Sequence, residues 1–163
     1  IAPEAYHNTW YPNSFMAERE ANQPHLDSAL RAVDDAVDLA LDAGVPAEKV
    51  VVLGFSQGAC LASEYVYRNP ERYGGLAALS GGLIGPDGTT WPDADEASLD
   101  GTPAFFGCWD EDPHIPESRV HESADAYRER GADVTKRLYP NLGHQVNEDE
   151  MEWVRGTLDD MLG

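Results

Sequence analysis

The chain has 163 residues, 42% of them hydrophobic, which is enough to close one core and sets the expectation of a single domain over residues 1–163. With 30 acidic against 11 basic residues the formal net charge is −19, a balance that repels phosphate backbones and anionic lipid surfaces and so argues against nucleic acid or such a membrane as partner. No apolar run approaches the ~20 residues needed to span a bilayer, no transmembrane segment or charged leader is read, and a cytoplasmic location is expected.

In chain order, residues 1–22 hold Pro3, Pro12 and scattered aromatics without periodicity and read as a loop. From Leu26 the apolar positions Leu30, Val33, Val37, Ala40 and Leu41 recur at three and four residues, predicting an amphipathic helix that ends at Gly44. Lys49 to Phe55 is a Val-rich run without polar alternation, as expected of a parallel strand covered on both faces. Gln57 to about Arg68 reads as a helix closed by Asn69 and Pro70, and Gly75 to Leu83 as a second apolar strand segment. Residues 85–101, rich in Gly, Pro, Asp and Thr, predict a surface excursion. A strand over Pro103 to Cys108, a helix over Glu117 to Arg130, a strand over Asp133 to Tyr139 and a helix over about Asn147 to Leu162 complete the chain. This alternation predicts an α/β fold, a mostly parallel sheet with helices on both faces.

Gly54-Phe55-Ser56-Gln57-Gly58 is a G-x-S-x-G at the join of the Val-rich strand and the following helix. Such a turn holds a serine exposed above the end of a sheet, and is so tight that the flanking positions tolerate little side chain. A serine hydroxyl needs a base to take its proton and a carboxylate to orient that base. Of the five histidines, His144 follows the last predicted strand, His7 and His25 precede the serine, and His121 falls within a helix. The acid is expected in the loop after the Pro103 strand, where Asp110, Glu111 and Asp112 compete. Pro113 and Pro116 rigidify the turn that would aim Asp112, with Asp110 as the alternative, and His114 reads as a substrate-side or structural residue.

Cys60 and Cys108 have neither a disulfide-framework nor a metal-ligand spacing and are expected as buried thiols. No metal and no cofactor is expected. Lysine stands only at positions 49 and 136, and the acidic residues are spread along the chain. That pattern suggests salt adaptation, since at molar salt the Debye length falls to about 3 Å and self-repulsion is screened. Disorder fits poorly, because the acidic residues interleave with apolar periodicity.

The chain resembles the phospholipase/carboxylesterase branch of the α/β-hydrolases, which includes acyl-protein thioesterases, and within it the salt-adapted microbial members. The resemblance runs through Ala2-Pro3-Glu4-Ala5, Trp10-Tyr11-Pro12, Gly54 to Gly58, Leu79-Ser80-Gly81-Gly82, Asp112 to Pro116 and Gly143-His144. It implies Ser56 as nucleophile, Asp112 as acid, His144 as base, the Gln57 backbone N–H as an oxyanion donor, and Trp10 and Tyr11 as residues lining the acyl site. The implied activity is hydrolysis of carboxylic esters, short-chain ones favoured, through an acyl-enzyme. An acyl thioesterase or lysophospholipase, or a degenerate hydrolase-fold module acting in binding and assembly, are the alternatives. The resemblance also implies a strand and a His-Gly-rich turn ahead of Ile1 that this sequence does not contain, so the expected fold is N-terminally truncated. Without that strand the Val-rich strand is left with an open edge, and the chain is expected to form homo-oligomers or to associate with an N-terminal fragment.

Overall fold

In the computed structural model, which describes residues 1–91 and 98–163, parallel strands β1 (Val51–Phe55), β2 (Gly75–Leu79), β3 (Pro103–Trp109) and β4 (Asp133–Tyr139) form one sheet in the order β1-β2-β3-β4. Helix α1 (His25–Asp42) precedes β1, α2 (Gln57–Arg68) links β1 to β2, α3 (Glu117–Glu129) links β3 to β4, and α4 (Glu148–Leu162) follows β4. The surface excursion expected over 85–101 lies partly outside the described residues. Among the described residues no helix is long and apolar enough to cross a membrane.

Strand β3 shows why the middle of the sheet lacks polar alternation: both of its faces are covered. Ala104, Phe106 and Cys108 pack into the main core with Leu61, Val120 and Tyr127 from α2 and α3. Phe105 joins Ala77, Leu79 and Val154 in a second cluster, with its ring 5.0 Å from Trp153 on α4. Helix α4 starts on a reciprocal cap, in which Asn147 Oδ1 accepts from the Glu150 N–H and Glu150 Oε2 accepts from the Asn147 N–H, both at 2.9 Å.

Two sequence expectations are corrected here. Strand β1 is not covered on both faces: Leu53 is 47% and Phe55 39% exposed, because α4 packs against β2 and β3 and leaves this face of the edge strand open. The apolar segment 75–83 is a strand only to Leu79, and residues 80–84 continue buried without strand pairing. The Ser80 N–H still donates to the Gly107 carbonyl of β3 at 2.7 Å, and side chains take over at residues 83 and 84. The Leu83 N–H donates to Ser123 Oγ at 2.9 Å and the Ile84 N–H to Glu64 Oε2 at 3.0 Å. Arg119 Nη1, fully buried in α3, donates to the carbonyls of Leu83 and Gly85 at 2.9 and 2.7 Å. This polar clamp carries the chain from the end of β2 around the C-terminal edge of the sheet, where the loops after β1, β3 and β4 also meet.

Candidate active site

Ser56 sits between β1 and α2 with φ 53° and ψ −120°, a conformation that a side-chain-bearing residue occupies only at a cost. Its N–H donates to the Leu79 carbonyl at 2.9 Å, and its own carbonyl accepts from Ala59 and Cys60 at 2.9 and 3.1 Å, so the turn is tied to both neighbouring elements. The two glycines of the motif differ. A Cβ at Gly54 would stand 2.1 Å from the Gly58 carbonyl oxygen, so this position admits no side chain. A Cβ at Gly58 would meet nothing nearer than Trp10 Nε1 at 4.0 Å, which corrects the expectation that both flanks exclude side chains.

His144, on the loop between β4 and α4, places Nε2 2.8 Å from Ser56 Oγ and Nδ1 2.6 Å from Asp112 Oδ2. An ionised carboxylate only accepts, so Nδ1 carries the proton and Nε2 is left to receive the serine's. The ring is flanked by Phe55 at 5.0 Å and, edge-on, by His114 at 4.9 Å between centroids. Of the three competing carboxylates, the imidazole meets Asp112, while Glu111 is exposed. Asp112 Oδ1 accepts from the N–H groups of His114 and Ile115 at 2.8 and 3.1 Å. Burial pushes this carboxyl's pKa up, but the bonds from His144 and from the two backbone N–H groups outweigh it and hold the group below the ordinary carboxylate range.

The remaining histidines take no part in this arrangement. His7 is exposed, His25 opens α1, and His121 pairs with Glu117 at 3.0 Å and with Lys136. Tyr11 borders a cleft of about 330 Å³ together with Asn13, Phe15, Ser56, His114 and His144. Trp10 does not border that cleft; it lines a neighbouring apolar groove of about 550 Å³ that runs along β1 and α1, past Val37, Leu53 and Leu61, as far as Gly58. Among the described residues, the cleft lining carries no carboxylate, lysine or arginine.

Sequence reasoning missed the side chain of Gln57. Its Oε1 accepts from the Trp10 N–H at 2.7 Å and its Nε2 donates to the Tyr11 carbonyl at 2.9 Å, fastening the N-terminal loop to the serine turn. No sequence signal marks a bond between residues 46 and 47 positions apart. The backbone N–H of Gln57 opens α2, where the first N–H groups have no partner within the helix and the helix dipole is positive. Serine hydroxyl, imidazole and carboxylate thus form one hydrogen-bonded line beside the cleft, an arrangement able to pass a proton away from Ser56 Oγ.

The model of the phospholipase/carboxylesterase family matches residues 4–162. Acyl-protein thioesterase 1 of Debaryomyces hansenii is 31% identical over 120 residues, covering 72% of this chain and 50% of that protein. Lysophospholipase-like protein 1 of Mus musculus is 24% identical over 128 residues, covering 78% of this chain and 53% of that protein. A phospholipase/carboxylesterase structure from Dyadobacter fermentans is 40% identical with a TM-score of 0.88, over 99% of this chain and 75% of that one. The chain spans about half the length of the curated relatives it matches.

Proposed function

The chain belongs to the phospholipase/carboxylesterase family, and on that premise we propose that it is a serine hydrolase cleaving carboxylic esters or thioesters through an acyl-enzyme. The observation that carries this reading is the line from Ser56 Oγ through His144 to Asp112, at 2.8 and 2.6 Å. His144 Nε2 takes the hydroxyl proton as Ser56 Oγ attacks the substrate carbonyl, and Asp112 holds the imidazolium that results. The Gln57 N–H, at the positive end of α2, faces the oxyanion. Collapse of the tetrahedral intermediate breaks the ester C–O or thioester C–S bond, and His144 returns its proton to the departing alcohol or thiol. Water then attacks the acyl-serine, with His144 again as base, and releases the acid. Turnover of a short chromogenic ester that vanishes in Ser56→Ala supports the reading; equal background in both proteins overturns it and favours a binding or assembly role for the fold.

Substrate size follows from the cleft. About 330 Å³, with no fixed charge among the described lining residues, suits a small neutral acyl group. Acetyl and butyryl esters are expected to give the highest kcat/KM, with a fall of about tenfold or more on a dodecanoyl ester. Activity that rises with chain length would instead seat the acyl chain in the groove along β1.

The proposal extends to self-association through β1. Its outer edge is open, and residues 50–58 contain no charged side chain in a chain of net charge −19. Two such acidic molecules approach with least repulsion where neither carries charge, and an open strand edge pairs with a second copy of itself. Light scattering at molar salt is expected to show a dimer, and Leu53→Lys, which puts a charge on this strand, a monomer. A monomeric unsubstituted chain under those conditions defeats this extension.

A further inference from the structure

A carboxylate has about four lone-pair positions, and at Asp112 three are occupied by N–H groups: those of His114 and Ile115 on Oδ1 and that of His144 on Oδ2. The fourth position, on Oδ2, is approached by the thiol of Cys108, with Sγ 3.8 Å away. Cys108 is the penultimate residue of β3, fully buried, and stands on the face that packs against α2 and α3. The polar groups around it are Asp112 from the loop after β3, the Ser80 hydroxyl from the end of β2, and the Glu150 carboxyl from α4. Burial and the neighbouring Asp112 push the thiol pKa up to about 12, so the sulfur keeps its proton and acts as a donor.

We infer that Cys108 is a positioning residue for the acid of the proposed hydrolase: its S–H occupies the last lone pair of Asp112 and thereby sets how strongly Oδ2 pulls on His144. The inference rests on the roles proposed for Ser56, Asp112 and His144. A thiol is a weak donor, so it tempers the carboxylate without displacing the imidazole from the shared oxygen. It also keeps water from that oxygen, because the site is closed around it. With the donor gone, Oδ2 bonds His144 more tightly, while the carboxylate loses one of its four restraints. Besides Asp112, the titratable group facing the His144 ring is His114.

Cys108→Ala and Cys108→Ser leave nearly the same space, and only serine keeps a donor. In Cys108→Ala, kcat on a short ester is expected to fall about three- to tenfold with KM unchanged, the effect of one weak hydrogen bond. The Nδ1 proton resonance of His144 is expected to move downfield, as its bond to Oδ2 tightens. Cys108→Ser is expected to restore most of each. Equal behaviour of Ala and Ser in kcat and resonance would make the sulfur a space filler and overturn the inference. The resonance is read without turnover, so a chain in which it moves as expected but no ester is cleaved removes the hydrolase reading and leaves the positioning role standing. Cys108→Val and Cys108→Thr, isosteric with one another, repeat the comparison at larger volume if the smaller pair fails to fold.

Discussion

Ser56→Ala is expected to lower kcat on a short ester by about 10⁴- to 10⁶-fold, to the rate that binding and the oxyanion donor alone sustain. In the proposed mechanism Oγ is the atom that forms the covalent bond, and it is the hydroxyl oxygen that stands 2.8 Å from His144 Nε2. Asp112→Asn is expected to cost about 10⁴-fold by a different route. An amide in place of the carboxylate holds the imidazole in the wrong tautomer, with Nε2 protonated and unable to accept from Ser56. Both variants should keep the circular-dichroism spectrum of the unsubstituted chain. A Ser56→Ala protein with undiminished turnover would move the chemistry away from the β1–α2 turn, and an active Asp112→Asn would detach the carboxylate from the base.

Gly54→Ala is expected to destabilise the chain by about 3–5 kcal/mol, or to prevent folding, while Gly58→Ala stays within about 1 kcal/mol. At position 54 the added methyl would lie 2.1 Å from the Gly58 carbonyl oxygen and 2.6 Å from the Ala59 nitrogen. Both are backbone atoms of the first turn of α2, so relief requires the helix to retreat from the strand. At position 58, inside α2, alanine gains the helix preference that glycine lacks and meets nothing nearer than 4.0 Å. Urea denaturation of the two variants beside the unsubstituted chain measures the contrast. Two equally stable variants would mean that the turn at Ser56 is looser than described.

The helix α2 was legible from Gln57 to Arg68 because a glycine-bounded turn opens it and Asn69-Pro70 closes it, signals that act locally. The parallel order of the sheet followed from alternation alone. The open face of β1 was not legible, since Val51-Val52-Leu53 is the same composition whether one face or two are covered, and the uncovering depends on how far α4 reaches. Nor was the end of β2 read correctly, because Leu83 continues the apolar segment past Ser80-Gly81-Gly82, while the backbone of residues 83 and 84 is satisfied by Arg119, Glu64 and Ser123, distant in sequence. At the site, the G-x-S-x-G motif singled out Ser56, and chain order with the loop after the last strand singled out His144 as candidates. The choice among Asp110, Glu111 and Asp112 rested on the flanking prolines, whereas in the structure two N–H groups turned onto Oδ1 also fix the orientation of Asp112. The bonds that join Gln57 to the Trp10-Tyr11 loop span 46 and 47 positions and left no pattern to find, and Cys108, only four residues before Asp112, carried no sign that its thiol would turn toward that carboxylate.

The buried guanidinium of Arg119 has a consequence for how the molecule responds to its solvent. Its Nη1 bonds to the carbonyls of Leu83 and Gly85 are buried away from dissolved ions, and the guanidinium lies over the rings of Phe15 and Trp91, while its Nε pairs with the exposed Glu122 at 2.9 Å. Ion pairs on the surface, such as Arg137 with Asp149 and Arg155 with Glu148, weaken as salt is added, while repulsion among the many surface carboxylates weakens with them. Ionic strength therefore acts on the outer shell and leaves the wall of the cleft, through Phe15, mechanically insulated. The periphery of the protein and its chemistry are answerable to different variables, and a change of medium can retune the one without redrawing the other.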